Sequence, residues 1–317
     1  MERFEVVVVE AWTAAKRVRA LTLARPNGDA LPGWTAGGHI DVLIPDVGAR
    51  SYSLIETTAP DGPARVYRLG VLRESDSRGG SQYMHGLVVG DRLMITPPSN
   101  DFPLADGDEE VVLLAGGIGV TPLLSMARDL VATGRRFSFA YAGRSRAEIA
   151  FVDDVMRLGG ARATIHIDDE AGAMFDLRGL MRGLDAAPLY LCGPPGMITA
   201  ALAIAQELRW AEGRLRYEIF AAPSEKPGDQ PFEVELKSSG RIYEIPCGKT
   251  ILDVLLEAGE EPLHDCRRGD CGICQVAVLD GVPDHRDFIL TESEKAANAI
   301  MQICVSRAKS HRLTLDL

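Results

Sequence analysis

Cys266, Cys271, Cys274 and Cys304 are the residues of this 317-residue chain whose type and spacing point most directly to chemistry. The first three fall in the stretch C-R-R-G-D-C-G-I-C, and the fourth follows after a long gap. Thiolates are soft ligands, and C-x4-C-x2-C…C is the spacing that holds the two irons of a plant-type [2Fe–2S] cluster. Gly269 and Gly272 suit the same use, because a loop wrapped on a cluster must turn tightly and bring backbone N–H groups to sulfur. A zinc site and a disulfide are the alternatives. Structural zinc sites take two short pairs, and only Cys271 and Cys274 have that spacing, so the two-iron site is favoured.

Two other groups of residues invite a ligand. Arg50-Ser51-Tyr52-Ser53-Leu54 combines an aromatic with an arginine and hydroxyls, a set that can cover a flavin ring, hold its phosphate and hydrogen-bond a ring nitrogen. The same residues would also serve ordinary cross-strand pairing. Arg78-Gly79-Gly80-Ser81 precedes a helical run over 82–88 and offers a nest of N–H groups to an anion, or simply a turn with Ser81 as N-cap. Further on, G-G-I-G-V-T-P over 116–122 follows an apolar run and opens a helix, so its backbone can approach a pyrophosphate. It departs from G-x-G-x-x-G, since proline takes the last place. C-G-P-P-G-M over 192–197 and Tyr141-Ala-Gly-Arg144 end two other apolar runs, which would gather glycine, cysteine and arginine on one sheet edge.

The segments that must position these residues divide into three. Residues 4–12, 18–23, 39–44, 49–56, 66–74 and 92–97 alternate between apolar and polar with turn residues between them, the pattern of a six-stranded antiparallel barrel. From residue 111 strand and helix alternate: strands over 111–115, 137–142, 163–167 and 188–192, helices after Pro122 and over 197–208. Ser145 and Glu148 read as a capping box opening a helix with Ile149, Val152 and Met156 on its apolar face. A Pro-rich stretch at 222–231 reads as a linker. Beyond it, strands over 232–236 and 242–246, a helix over 251–258 capped by Thr250 with Asp253, and strands over 275–279 and 313–317 make a small α+β unit around the cysteine loop. The expected boundaries are 1–102, 103–222, a linker at 223–231, and 232–317.

The order R-x-Y-S, G-G-S, G-G-I-G-x-T-P, C-G-P-P-G-M and C-x4-C-x2-C…C resembles the phthalate dioxygenase reductase family, which includes vanillate demethylase reductases, over essentially the whole chain. The resemblance implies an FMN-binding barrel, a ferredoxin-reductase-like domain binding NADH, and a β-grasp ferredoxin domain that passes electrons to a terminal oxygenase. It implies that Arg50, Ser51, Tyr52 and Ser53 contact FMN, with Gly79, Gly80 and Ser81 at its phosphate and Val71 and Leu72 against its ring. Gly117, Thr121, Arg144, Cys192 and Gly193 would contact the nicotinamide nucleotide. Phe220 matches a family aromatic near the flavin, and could equally be core.

The functional expectation is a change of electron number. A nicotinamide gives a hydride, a cluster takes single electrons, and a flavin between them converts one into the other. No acid–base pair is required; Tyr52, Ser53, Thr121 and Cys192 should wall the place where nicotinamide meets flavin, with Ser53, Thr121 and Cys192 as the candidate catalytic residues. The chain lacks Rieske-type Cys-His pairs and any 2-His-1-carboxylate candidate, so substrate oxidation belongs to a partner: a Rieske oxygenase, or alternatively a diiron hydroxylase or a separate ferredoxin. A redox sensor without turnover is the reading from another class, and the two nucleotide loops speak against it.

Composition bounds the rest. The net charge of −11 disfavours nucleic acid and anionic membrane as partners, and residues 231–317 alone carry 15 acids against 10 bases, an acidity that suits a basic protein partner or simple solubility. No run approaches a membrane span, no secretory signal is visible, and a reducing, cytoplasmic setting is expected for a chain that is a monomer on its own. The six histidines are scattered without metal-ligand spacing and read as packing or surface. Cys247 reads as a small buried hydrophobe. Asp168 and Asp169 would disfavour a 2′-phosphate and Arg144 and Arg146 would welcome one, which leaves NADH against NADPH open on charge alone.

Overall fold

The computed structural model describes residues 3–56, 64–75, 79–220, 226 and 228–317. Two compact units divide the chain, Met1–Glu218 and Ile219–Leu317. The first unit begins with six strands rich in alternating β-branched residues: β1 (Phe4–Ala15), β2 (Val18–Ala24), β3 (His39–Ile44), β4 (Gly48–Ser53), β5 (Tyr67–Leu72) and β6 (Arg92–Ile95). They pair antiparallel in the order β4-β3-β6-β1-β2-β5. A bridge from Leu54 to Leu69, extended by a 3.0 Å bond from the Ile55 N–H to the Arg68 carbonyl, closes the two outer strands on each other. Register irregularities in β1 bend it, as closure requires. The enclosed core holds Val6, Leu21, Ile40, Val42 and Leu69, all fully buried. A single short helix, α1 (Gly80–Gly86), follows β5.

The second half of this unit is a parallel sheet in the order β11-β10-β7-β8-β9, from β7 (Val111–Gly116), β8 (Phe137–Gly143), β9 (Ala163–Ile167), β10 (Leu189–Cys192) and β11 (Leu215–Glu218). Every residue of β7 is buried, as a central strand covered on both faces must be. Helices α2 (Val120–Ala132), α3 (Val152–Gly159), α4 (Asp168–Ala171), α5 (Leu177–Arg182) and α6 (Pro195–Glu207) connect the strands. The chain runs from β7 outward through β8 and β9, then returns to β10 on the other side. The switch point therefore lies between β7 and β10, where open sheets of this kind bind ligands. Ala36, Ile55 and Phe102 from the barrel share one core with Leu113, Leu123 and Tyr141, so barrel and sheet are packed as one body.

The second unit contains β12 (Phe232–Leu236), β13 (Ile242–Ile245), β14 (Gln275–Asp280), β15 (Pro283–Asp284), β16 (Ile300–Gln302), β17 (Arg307–Ala308) and β18 (Arg312–Leu315), with α7 (Ile251–Glu257) and α8 (Glu292–Ala297). Five of the strands form a mixed sheet, β13-β12-β18-β14-β16, in which β12 and β18 run parallel. Ile251, Leu252 and Leu255 of α7 pack into the same core as Val234, Leu313 and Met301, the β-grasp arrangement. Thr250 and Asp253 cap α7 reciprocally, as the sequence predicts. At its start this unit is held by buried charge. Asp229 accepts a bidentate pair of bonds from Arg286 at 2.8 and 2.5 Å, and Arg286 also meets Asp284 at 2.7 Å. Nearby, Arg307 donates to the carbonyls of Lys249, Gln230 and Pro246.

Three expectations are corrected. Ser145–Glu148 forms a turn, with the Glu148 N–H bonded to the Ser145 carbonyl at 3.1 Å, and the helix begins only at Val152 behind a left-handed Phe151. Ile149 is buried before the helix, and Met156 is exposed. The physical reason is the chain's path: the segment must cross to the barrel, where the Ala147 carbonyl accepts from the Lys16 N–H at 2.8 Å, before it turns back to the sheet. Ser81 is not the N-cap of α1; Gly79 holds that place with φ 94°, a conformation open to glycine. Cys247 is exposed rather than buried, its thiol donating to the Asp229 carbonyl at 3.2 Å. Of the predicted linker at 223–231, residues 223–225 and 227 lie outside those described, while Asp229 belongs to the ion-pair cluster of the second unit.

Candidate flavin, nucleotide and cluster sites

The barrel closure brings the flavin-motif residues into one place. In the register of the Leu54–Leu69 bridge, Ser53 comes abreast of Gly70 and Tyr52 of Val71. Alternation along β4 puts Arg50 and Tyr52 on one face and Ser51 and Ser53 on the other. Arg50 extends along the start of α1: a Cβ at Gly80 would stand 3.1 Å from its Cγ and 3.4 Å from its Nε. So R-x-Y-S and G-G-S, thirty residues apart in the chain, form one corner. Burial pushes the Tyr52 hydroxyl up to about 12, opposed by Arg50, so it stays a neutral donor and acceptor throughout the working pH range. Ser51 is turned to Asp41, to which its hydroxyl donates at 2.7 Å, and the Ser81 hydroxyl accepts from the Glu74 N–H at 3.1 Å. Val71 is buried and Leu72 half-buried on β5. Arg78 lies outside the described residues.

His85, one of the histidines whose spacing suggests only packing or surface, has more to do in the fold. Its Nε2 lies 2.9 Å from the Val71 carbonyl, fastening α1 to the strand that carries Val71 and Leu72. Since a carbonyl can only accept, Nε2 carries the proton, and burial lowers the ring's pKa so that it remains neutral.

The nucleotide motifs meet at the switch point. Gly116 and Gly119 lie against Cys192, Gly193 and Pro194: a Cβ at Gly119 would overlap the Cys192 carbonyl and stand 2.7 Å from the Gly193 nitrogen, and one at Gly116 would stand 2.6 Å from the Pro194 ring. Only hydrogen fits between the two turns. The sequence singled out Gly117 and Gly193, but Gly119 carries the closest approach; its place inside a tight 3-10 turn, Gly117–Gly119, explains why a motif match alone did not single it out. Thr121 follows in the first turn of α2, its hydroxyl bonded to the Ile118 carbonyl at 3.0 Å and its methyl turned to β5, where a Cβ at Gly70 would be 2.9 Å away. Thr121 and Cys192 are both buried. Thr121 thus meets the barrel strand at Gly70, two residues beyond the Gly119 that touches Cys192. Arg144 stands exposed at the end of β8, its carbonyl accepting from the Asp169 N–H at 3.1 Å. Arg146 is committed to Glu170 through two bonds of 2.8 and 2.7 Å. Phe220 opens the second unit as an exposed aromatic.

In the second unit the four cysteines are gathered. The four thiols perturb one another: Cys304 draws the Cys266 and Cys274 thiols down and is itself pushed up by them, while burial, with Cys266 beside it, pushes Cys271 up. Mutual shifts of this kind require the four sulfurs to be close neighbours. Among the described residues no group of three or more His, Cys, Asp or Glu is arranged to hold a single metal ion. A two-iron cluster asks for two thiolate pairs rather than one convergence point, and this donor set of four fits it. The loop geometry fits too. Gly269 has φ 86°, and a Cβ there would be 2.6 Å from Val305 and 3.2 Å from the Asp287 Cα, so the loop lies flat on the segment carrying Cys304.

Comparison with known proteins covers the regions that carry these residues. Residues 108–163 match the ferric reductase NAD binding domain and residues 234–309 the 2Fe-2S iron-sulfur cluster binding domain. The chain is 39% identical to a vanillate O-demethylase oxidoreductase of Pseudomonas sp. (strain HR199 / DSM 7063), over 99% of both chains, and 39% identical to a tetrachlorobenzoquinone reductase of Sphingobium chlorophenolicum, over 99% of this chain and 98% of that one. Its fold matches the structure of phthalate dioxygenase reductase with a TM-score of 0.78 at 33% identity, over 99% of this chain and 98% of that one. Barrel, switch-point sheet and four-cysteine β-grasp unit together define an NADH-dependent flavin and iron–sulfur oxidoreductase. The chain belongs to the phthalate dioxygenase reductase family. It is the reductase component of an oxygenase or demethylase system, and no helix among the described residues is long and apolar enough to cross a membrane.

Proposed function

We propose that this protein takes electrons from NADH in the cytoplasm and delivers them to a terminal oxygenase of Rieske type. The observation that carries the electron path is the junction just described: the nucleotide turn at Gly119 and Cys192 sets Thr121 on Gly70, the position abreast of Ser53 on the barrel strand that the flavin motif occupies. Bound there, FMN supplies the exchange between a two-electron hydride and the single-electron steps of the cluster. The chain's own residues bind and orient. Arg50, lying along Gly80, offers a fixed cation to the flavin phosphate, and the neutral Tyr52 hydroxyl and Ser53 offer hydrogen bonds to the ring. Gly117, with open space where a Cβ would stand, lets the nucleotide approach, Gly116 and Gly193 bring the two turns together beside it, and buried Thr121 and Cys192 exclude water behind the nicotinamide. Arg144 faces solvent at the same sheet edge, within reach of a nucleotide phosphate. With Arg146 held by Glu170 and two aspartates following β9, the edge favours a free ribose 2′-hydroxyl, hence NADH. Cys266, Cys271, Cys274 and Cys304 hold the cluster.

The Rieske assignment rests on the absence of any oxygen-activating ligand set in the sequence and on the demethylase and dioxygenase names among the relatives. Metal and flavin analysis of the purified protein tests the core of this reading. About one FMN and two irons per chain are expected, with anaerobic NADH bleaching the flavin band; FAD on acid extraction, or stoichiometric zinc without iron, would overturn the respective assignment.

A further inference from the structure

Phe151 stands outside every motif that led to the site. Its backbone has φ 59°, in the left-handed region, where a bulky aromatic is an outlier that its surroundings must hold in place. Hydrogen bonds hold it on both sides. The preceding Ala150 carbonyl accepts from the buried Tyr141 hydroxyl at 3.0 Å, and the Phe151 carbonyl accepts from the Val155 N–H of α3 at 3.1 Å. Earlier in the same loop, the bond from Lys16 to Ala147 ties the segment to the barrel's β1–β2 hairpin.

The outcome of this arrangement is a ring laid on the barrel at one position. A Cβ at Gly70 would stand 2.8 Å from Phe151 Cε2 and 3.2 Å from Cζ, and 2.9 Å from the Thr121 methyl. Ring and methyl therefore share one bare stretch of β5 backbone, immediately before Val71 and Leu72. A side chain that only filled the sheet's core would need neither the left-handed backbone nor a contact across to the barrel. We propose that Phe151 is a positioning residue for hydride transfer, a spacer that, resting on Gly70, fixes how closely the Thr121 end of the nucleotide domain approaches the flavin strand. The inference rests on the flavin and nucleotide placement above. It acts through distance alone: Phe151 neither binds the nucleotide phosphates nor moves a proton, so it should govern the rate of the bound complex rather than its affinity.

Anaerobic stopped-flow reduction of the holoenzyme by NADH tests it, with Phe151→Ala, Phe151→Leu and Phe151→Tyr, and with Gly70→Ala approaching the same joint from the barrel side. The alanine and leucine variants should retain FMN and iron and a half-saturating NADH concentration within about twofold of wild type. Their limiting rate of flavin reduction should fall by about tenfold or more, and the isotope effect with C4-deuterated NADH should rise, because misplacement of the reacting atoms by about an ångström suffices for such losses. Tyrosine, which keeps the ring, should restore the rate, and Gly70→Ala should lower it in the same sense. If NADH fails to bleach the flavin of the wild-type protein, the reading of the site itself is wrong. If wild type is reduced normally and the variants change only thermal stability or NADH affinity, the site stands and the role of Phe151 is overturned.

Discussion

The two units build their sites in opposite ways. In the first, the site is assembled from strands and turns far apart in the chain, and much of it is the absence of side chains: Gly70, Gly80, Gly116 and Gly119 each occupy a point where a Cβ would strike a neighbour. The walls stand because barrel and sheet share a complete apolar core. In the second unit, three of four ligands lie within nine residues and the site is made of side chains that want a partner. Four neighbouring thiols, two of them buried, carry a desolvation cost that a bound cluster would offset. The first site should therefore persist without its ligands, and the second should depend on them.

Paired substitutions put the contrast to the sharpest test. Cys304→Ser should abolish the cluster, with acceptor reduction falling to baseline and the iron–sulfur absorbance lost, while NADH still bleaches the flavin at the wild-type rate; simultaneous loss of flavin reduction with FMN still bound would show that the two sites are not separable. Gly119→Val should do the reverse. Its side chain would push the Cys192 turn away, and NADH-dependent bleaching should fall on the order of a hundredfold while iron content and reduction of both centres by dithionite persist. Unchanged NADH reduction in this variant would mean that the approach of the two turns is packing alone.

A smaller effect is expected at the edge of the second unit. Breaking the Asp229–Arg286 pair by Asp229→Asn should cost about 2–3 kcal/mol of that unit's stability at neutral pH, less than the full range for a broken buried pair because Asp284 still faces Arg286. The hydrogen bonds from Arg286 hold the Asp229 carboxyl at about 2, below its ordinary value. A depressed carboxylate stabilises the fold above its unfolded pKa and loses that contribution as pH falls toward the folded one. The gap between wild type and variant, read from denaturant midpoints, should therefore be full near pH 7, shrink below about pH 4 and close near pH 2. A gap that stayed constant across that window would show that the ion pair is not its source.

The same local-against-distant contrast explains what the sequence disclosed. Six barrel strands, the strand–helix alternation of the nucleotide domain and the capped helix after Thr250 are legible because alternation, rhythm and capping are local signals. The cysteine loop is legible for the same reason. Gly70, Phe151 and His85 were not, since each matters through a partner brought near only by barrel closure or by the crossing of the 144–151 loop. Ser145 and Glu148 misled for a related cause: a valid local cap signature was overridden by the bond from Lys16 to Ala147. Cys247 shows the limit of typical burial, because a thiol beside the Asp229 clamp finds an acceptor at the surface.

One feature of the second unit bears on how the protein is made. β18, the strand that comes latest in its sequence, lies in the middle of the five-stranded sheet, with Glu233 of β12 paired to Arg312 and Val278 of β14 to Leu315. Until that strand has been synthesised, β12 and β14 have no shared neighbour, and the pair of β14 with β16 that flanks Cys274 and Cys304 stays apart from the rest of the sheet. The barrel and nucleotide sheet, whose strands are all complete by Glu218, can fold on the ribosome well before this. Completion of the sheet beside Cys274 and Cys304 is thereby a late event of synthesis, one that follows the strands of the first unit by nearly a hundred residues.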